Sequence, residues 1–175
     1  TPMAVNALRA ASSNEPGVMS KSMANGLRQL KQEVVSYEAI DNGSSVTVKQ
    51  SVKVSGVQAE KVNGYGDTKT TITPVKEPLN DANTHFINNQ EWTIYADGTV
   101  VCQSVLLPRG NPLELLRLGY EFQFPANLGN VAYYGRGPEE NYADRKSGMP
   151  LGVYKTTAKD SFFPYGRPQD CGNHE

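Results

Sequence analysis

The 175-residue chain holds two cysteines, one tryptophan and two histidines. Cys102 and Cys171 stand far apart and outside any C-x-x-C pattern, so the sequence shows neither a disulfide framework nor a cysteine zinc site. Seventeen basic and eighteen acidic side chains leave a net charge of −1, too little of either sign to hold a phosphate backbone or an anionic bilayer. This argues against nucleic acid and membrane as partners, and no apolar run approaches the ~20 residues that cross a bilayer. The phosphate-cradling G-x-x-x-x-G-K-[ST] and G-x-G-x-x-G patterns are missing, as is the G-x-S-x-G elbow of serine hydrolases. Neither His85 nor His174 belongs to a Cys/His cluster with the ligand count of a metal site, which leaves a metal centre without support. Thr1 to Val5 carry no basic stretch ahead of an apolar one, so the start reads as a mature chain and the compartment stays open between periplasm and cytoplasm.

What is present points to β structure. Sixteen glycines, eleven prolines and nine tyrosines punctuate the chain more often than helices tolerate. Residues 1–18 read as an entering loop. Met19, Met23, Leu27 and Leu30 then recur at helical spacing, with Ser20 or Ser22 as candidate N-cap, and predict one short amphipathic helix. From Val34 the period becomes two. Val34 to Ile40 and Val46 to Val54 flank Asp41-Asn42-Gly43-Ser44, and the Asn-Gly pair accepts the positive φ of a tight turn, so a hairpin is predicted. The Asn42-Gly43-Ser44 glycosylation sequon is explained by that turn. A second hairpin runs from Trp92–Tyr95 through Ala96-Asp97-Gly98 to Thr99–Leu106. Leu115–Phe124 and Val131–Tyr134 supply further β runs, for at least six strands, while residues 56–85 look like an insertion or long loop. With no helices between the β runs, antiparallel sheets packed face to face are expected.

The densest polar cluster follows the last of these runs: Tyr133 and Tyr134, Arg136, Glu139, Glu140, Asn141, Tyr142, Asp144, Arg145 and Lys146. One reading is structural, with Arg136 and Arg145 pairing the carboxylates of Glu140 and Asp144 to pin the loop. The other is sugar recognition, in which arginine, carboxylate and amide groups grip hydroxyls while tyrosine stacks on the ring. Glu139 and Glu140 do not suit glycosidic hydrolysis, which needs two carboxyls facing one another about 5–9.5 Å apart, because neighbours on an extended segment point to opposite faces. Trp92 alternates with Ile94 and reads as a buried strand residue rather than a ligand contact.

Tyr134-Gly135-Arg136-Gly137-Pro138-Glu139-Glu140-Asn141-Tyr142-Ala143-Asp144-Arg145-Lys146-Ser147-Gly148 closely resembles the Y-G-R-G-P-x-E-N-Y-x-D-R-x-x-G signature of the C-terminal domain (small chain, domain 5) of family 2 β-galactosidases. Leu151-Gly152-Val153-Tyr154 and Pro164 to Asn173 resemble that family's L-G-x-Y and P-Y-x-x-P-Q-E-x-G-N, with Asp170 in place of glutamate. Leu116-Arg117-Leu118-Gly119 is similar to P-R-[IL]-G, with Leu116 where proline is usual, and Arg9 to Gly17 resembles a degraded R-A-P-x-D-N-D-x-G. The resemblance implies an all-β, antiparallel β-supersandwich of the galactose mutarotase type with one short N-terminal helix. On that reading residues 1–175 are a single domain, the N-terminal part of the β-galactosidase sandwich domain. It implies no catalytic residue, metal site or cofactor in this segment, since the catalytic glutamates of such enzymes lie in a separate barrel, although the parent enzymes often use Mg or Na ions. Arg117, Leu118 and Gly119 are the implied rim of the sugar site, and the motif loop from Tyr134 to Arg145 is mostly structural. The implied partners are the remaining domains of the parent β-galactosidase and, through them, a galactoside; exposed strand edges suggest self-association as well. A stand-alone carbohydrate-binding module, with Trp92 or the Tyr133–Tyr134 pair as stacking platform, and an aldose-1-epimerase-like enzyme are the alternatives.

Overall fold

The computed structural model describes residues 3–9, 15–64, 70–166 and 171–175. Among them are ten strands, one α-helix and one turn of 3-10 helix, and every strand pairing is antiparallel. The all-β, antiparallel class with one short helix stands.

The organising element is a four-stranded sheet in the order β2 (Leu30–Asp41), β3 (Ser45–Gly56), β6 (His85–Tyr95) and β7 (Val100–Arg109). Both expected hairpins are there. At the first turn Asn42 N–H donates to the Ser45 carbonyl (2.9 Å) and Gly43, at φ +80, donates to Asp41 Oδ1 (2.8 Å). At the second, Thr99 N–H donates to Asp97 Oδ1 (2.8 Å), which holds the Asp97 carboxyl below its ordinary range. A register shift between Val34 and Ser36 marks a bulge in β2. Strand β6 begins at His85, seven residues ahead of Trp92, because Val52 and Val54 of β3 pair with Asn88 and Phe86 and extend the ladder.

Residues 1–18 are not merely a loop. Strand β1 (Ala4–Asn6) pairs with β8 (Gly119–Glu121), and Met3, Val5 and Ala7 are buried. The period of two in Met3-Ala4-Val5-Asn6-Ala7 was too short to register as a strand alone. Helix α1 spans Pro16–Ala24 and not Met19–Leu30: proline occupies the first turn, Glu15 rather than Ser20 or Ser22 takes the N-cap position, and Gly26 at φ +72 ends the run. Leu30 is drawn into β2 opposite Gly56. Residues 56–85 carry the hairpin of β4 (Glu60–Asn63) and β5 (Thr71–Pro74), and of Leu115–Phe124 only β8 is strand. β9 (Asn130–Arg136) and β10 (Leu151–Thr157) form a separate two-stranded ribbon.

The core is small. Val5, Ala7 and Leu27 pack on Val52, Val54 and Phe86 of the sheet, flanked by Leu30, Leu106, Leu113, Leu115 and Tyr120. This layer covers one end of one sheet face. Further along that face Tyr37, Val46, Ile94 and Val100 remain exposed.

A bidentate contact from Arg28 to the buried carboxylate of Glu60 ties the segment after α1 to β4, with Nε 2.6 Å from Oε2. The Arg28 hydrogen bond holds the Glu60 carboxyl below its ordinary value of 4.5, against the opposing effect of burial. A depressed folded-state value means that the contribution is complete above about pH 4.5 and disappears as pH falls through the folded value. Glu60→Gln is expected to lower stability at neutral pH by about 1–2 kcal/mol, since Arg28 is half exposed, and to flatten the acid limb of stability against pH. Urea unfolding at several pH values checks this; an unchanged midpoint and acid limb would contradict it.

Candidate functional site

The motif loop leaves β9 at Arg136, and its organiser is Asn141, which is fully buried. Asn141 Nδ2 donates to the carbonyls of Arg136 (3.0 Å) and Glu139 (3.4 Å), closing the loop on itself. Its Oδ1 accepts from Glu175 N–H (3.1 Å), while its backbone N–H donates to the Asn173 carbonyl (2.7 Å) and its carbonyl accepts from Asn173 Nδ2. One side chain thus binds the loop to the segment 171–175. Glu140 repeats the tie: Oε1 accepts from Arg145 (3.2 Å) and Oε2 from Gly172 N–H (2.7 Å). Arg136 N–H donates to the Glu175 carbonyl, and its guanidinium donates to the Met149 carbonyl (2.9 Å).

Aromatic groups fill the space beneath. The ring of Tyr133 lies 5.7 Å from Tyr154 and 4.4 Å from His174, and its hydroxyl is 2.9 Å from His174 Nδ1. Burial, with Tyr154 and Glu139 adding to it, pushes the Tyr133 phenol up. Gly137 is required by this packing: a Cβ there would sit 2.7 Å from the Tyr133 hydroxyl and 2.8 Å from the Tyr154 ring. The peptide bond from Gly137 to Pro138 is cis. Arg145 lies over the Tyr142 ring, 4.9 Å from its centroid.

The structural reading of the loop therefore accounts for most of its polar groups. The Glu140–Arg145 pair is formed, but Arg136 spends its guanidinium on a carbonyl, and Asp144 is exposed with no ion pair among the described residues. Glu139 is exposed beside Pro138. Tyr134 points away from the Tyr133 cluster and is 75% exposed, opposite Val153 at 73%. A cleft of about 360 Å³ opens beside the loop, lined by Glu139, Glu140, Arg145, Asp160, Phe163 and Tyr165 among others. Arg117, Leu118 and Gly119 are not in it: Gly119 starts β8 opposite Asn6, and Arg117 and Leu118 are exposed just before it. Sequence reasoning missed His174 and Glu175 as parts of the site. Their contacts lie 34–41 residues away in sequence, and no local pattern signals them. Arg167 to Asp170, Ala10 to Asn14, and Tyr65, Gly66 and Asp67 lie outside the described residues. Among the described residues no three His, Cys, Asp or Glu side chains gather as metal ligands.

A family model described as β-galactosidase small chain matches residues 1–175. The chain belongs to that family. It is 40% identical over 82 residues to a β-galactosidase of Priestia megaterium, covering 47% of this chain and 8% of that protein. It is 51% identical over 57 residues to β-galactosidase BgaC of Bifidobacterium adolescentis, covering 33% and 5%, and 33% identical over 90 residues to a β-galactosidase of Kluyveromyces lactis, covering 51% and 9%. The matched segment thus spans less than a tenth of each of these relatives.

Asn141→Ala removes three side-chain hydrogen bonds, unties the loop from Glu175 N–H and empties a fully buried site, and is expected to cost about 2–4 kcal/mol. Gly137→Ala, forced against two tyrosine rings, should cost about 1–3 kcal/mol. Denaturant unfolding of both variants measures these losses; a midpoint unchanged in either would show that the loop is not locked as described.

Proposed function

We propose that this β-galactosidase small-chain region is a non-catalytic accessory domain of a family 2 glycoside hydrolase of the supersandwich type, docking on the parent's remaining domains and shaping the rim of a galactoside site. The observation that carries this reading is the family match over residues 1–175, joined to β-galactosidases more than ten times longer than the matched segment.

Surface area supports docking. The chain exposes 11,765 Å², whereas a compact monomer of 19.1 kDa exposes about 8,400 Å². Part of the excess is an apolar face on the β9–β10 ribbon, where Tyr134, Leu151 and Val153 stand exposed on adjoining strands, with Phe162 and Phe163 exposed just after it. A face of this kind, rimmed by the polar motif loop, suits a protein partner. On this reading the loop's network holds the ribbon in a fixed shape, while Arg117 and Leu118, exposed ahead of β8, contribute to the sugar rim. No chemistry is assigned to the chain: Glu140 is occupied by Arg145 and Gly172, and among the described residues no second carboxylate joins it in contact.

The test is complementation. A β-galactosidase relative lacking its small-chain region is assayed on a chromogenic galactoside with and without this chain. The chain alone should cleave nothing, and adding it should restore hydrolysis, less so with Tyr134→Ser/Val153→Ser. Hydrolysis by the chain alone, or no gain on mixing, would contradict the proposal.

A further inference from the structure

We propose that the chain carries a binding cleft for neutral saccharides on the four-stranded sheet, centred on Trp92 and Gln90 and separate from the motif loop. The cleft lies where the covered end of the inner sheet face gives way to the exposed end. It has a volume of about 490 Å³, within the roughly 300–1,000 Å³ of small-molecule sites.

Period-two geometry puts its parts on one face. Gln90 and Trp92 are two apart on β6, Gln50 lies directly across from Gln90 on β3, and Gln32 and Val34 face the same way from β2. Gln90 is 95% buried and lines the cleft, and its Oε1 accepts both the Trp92 indole N–H (3.1 Å) and Gln50 Nε2. The relay fixes the indole plane. It also spends the acceptor of Gln90 and a donor of Gln50, which leaves Gln90 Nε2 as a donor and Gln50 Oε1 as an acceptor, neither with a hydrogen bond among the described residues, on two paired side chains lining the cleft. A sugar hydroxyl donates and accepts at once, so this pair is suited to it. Phe122, stacked on Phe124 with centroids 6.3 Å apart, forms the aromatic wall across from these amides.

The ligand class follows from what the cleft lacks. Its lining of Met3, Gln32, Val34, Gln50, Val52, Gln90, Trp92 and Phe122 contains no charged side chain, so neither a phosphate nor a carboxylate is compensated there. A purely apolar occupant would leave the Gln90 amide unpaired. A neutral ring with apolar C–H faces and polar edges satisfies both aromatic groups and amides.

Trp92 is the chain's only tryptophan, so its fluorescence reports on this cleft alone. The intact 175-residue chain is titrated with lactose, methyl β-galactoside, maltose and cellobiose. The expected result is a saturable change with at least one of them. Gln50→Ala, which leaves the Trp92–Gln90 bond in place, should weaken it roughly five- to tenfold, as should the exposed-ring variant Phe122→Ala. Val105→Ser on the opposite face should leave it unchanged. Circular dichroism confirms that each variant keeps its β content. No saturable change with any of the four sugars, or the same affinity in both cleft variants as in the parent chain, would overturn the proposal. The cleft does not rest on docking: sugar binding without complementation would keep this inference and defeat the accessory-domain reading.

Discussion

The four-stranded sheet has two faces, and the described residues cover only one end of one of them. Everything else follows from that shortage. Val5, Ala7 and Leu27 seal Val52, Val54 and Phe86, but no second layer reaches Tyr37, Val46, Ile94 or Val100, four residues farther out on the same face. Hydrophobic burial is the main term that offsets chain entropy, so a domain with so short a core leans on other restraints. Continuous antiparallel pairing supplies one, through twelve-residue strands joined by tight turns. Polar ties supply another: Arg28 to Glu60 beside the helix, and Asn141 and Glu140 at the far ribbon.

The motif loop shows how a run that resembles a reactive site can be almost wholly architectural. Its arginines, glutamate and asparagine point at backbone carbonyls, amides and one another, and its glycines make room for tyrosine rings. Glu139 and Asp144 of the loop face outward, and beside it on the ribbon the exposed side chains of Tyr134 and Val153 form an apolar face. The loop is thus a polar frame beside an exposed apolar face, the arrangement on which the proposed docking rests. The Trp92 cleft has the opposite character, with aromatic groups and half-engaged amides gathered at the border between covered and uncovered sheet.

The sequence made the hairpins legible because Asn42-Gly43 and Asp97-Gly98 carry a local turn code between period-two runs. The family likeness was legible from the loop for a similar reason, since its spacing is contiguous. What escaped was non-local. β1 is three residues long and exists because β8, over a hundred residues away, pairs with it. Helix α1 was displaced because a glycine at positive φ and sheet pairing at Leu30 outweighed the helical spacing of the methionines and leucines. Trp92 read as buried from its alternation with Ile94, yet it is half buried at a cleft, because strand period gives the face but not what covers it. Asp144 was expected to pair with an arginine and does not, since Arg136 found a nearer carbonyl.

The central proposal is that the exposed apolar face of the β9–β10 ribbon docks on the remaining domains of a β-galactosidase. Hydrogen–deuterium exchange read residue by residue tests it most directly, comparing the chain alone with the chain mixed with a relative lacking its small-chain region. The account predicts that amides of β9 and β10 around Tyr134 and Val153 gain protection on mixing, while the hairpin turn at Asn42-Gly43 does not. Equal exchange of the ribbon in both samples would contradict it.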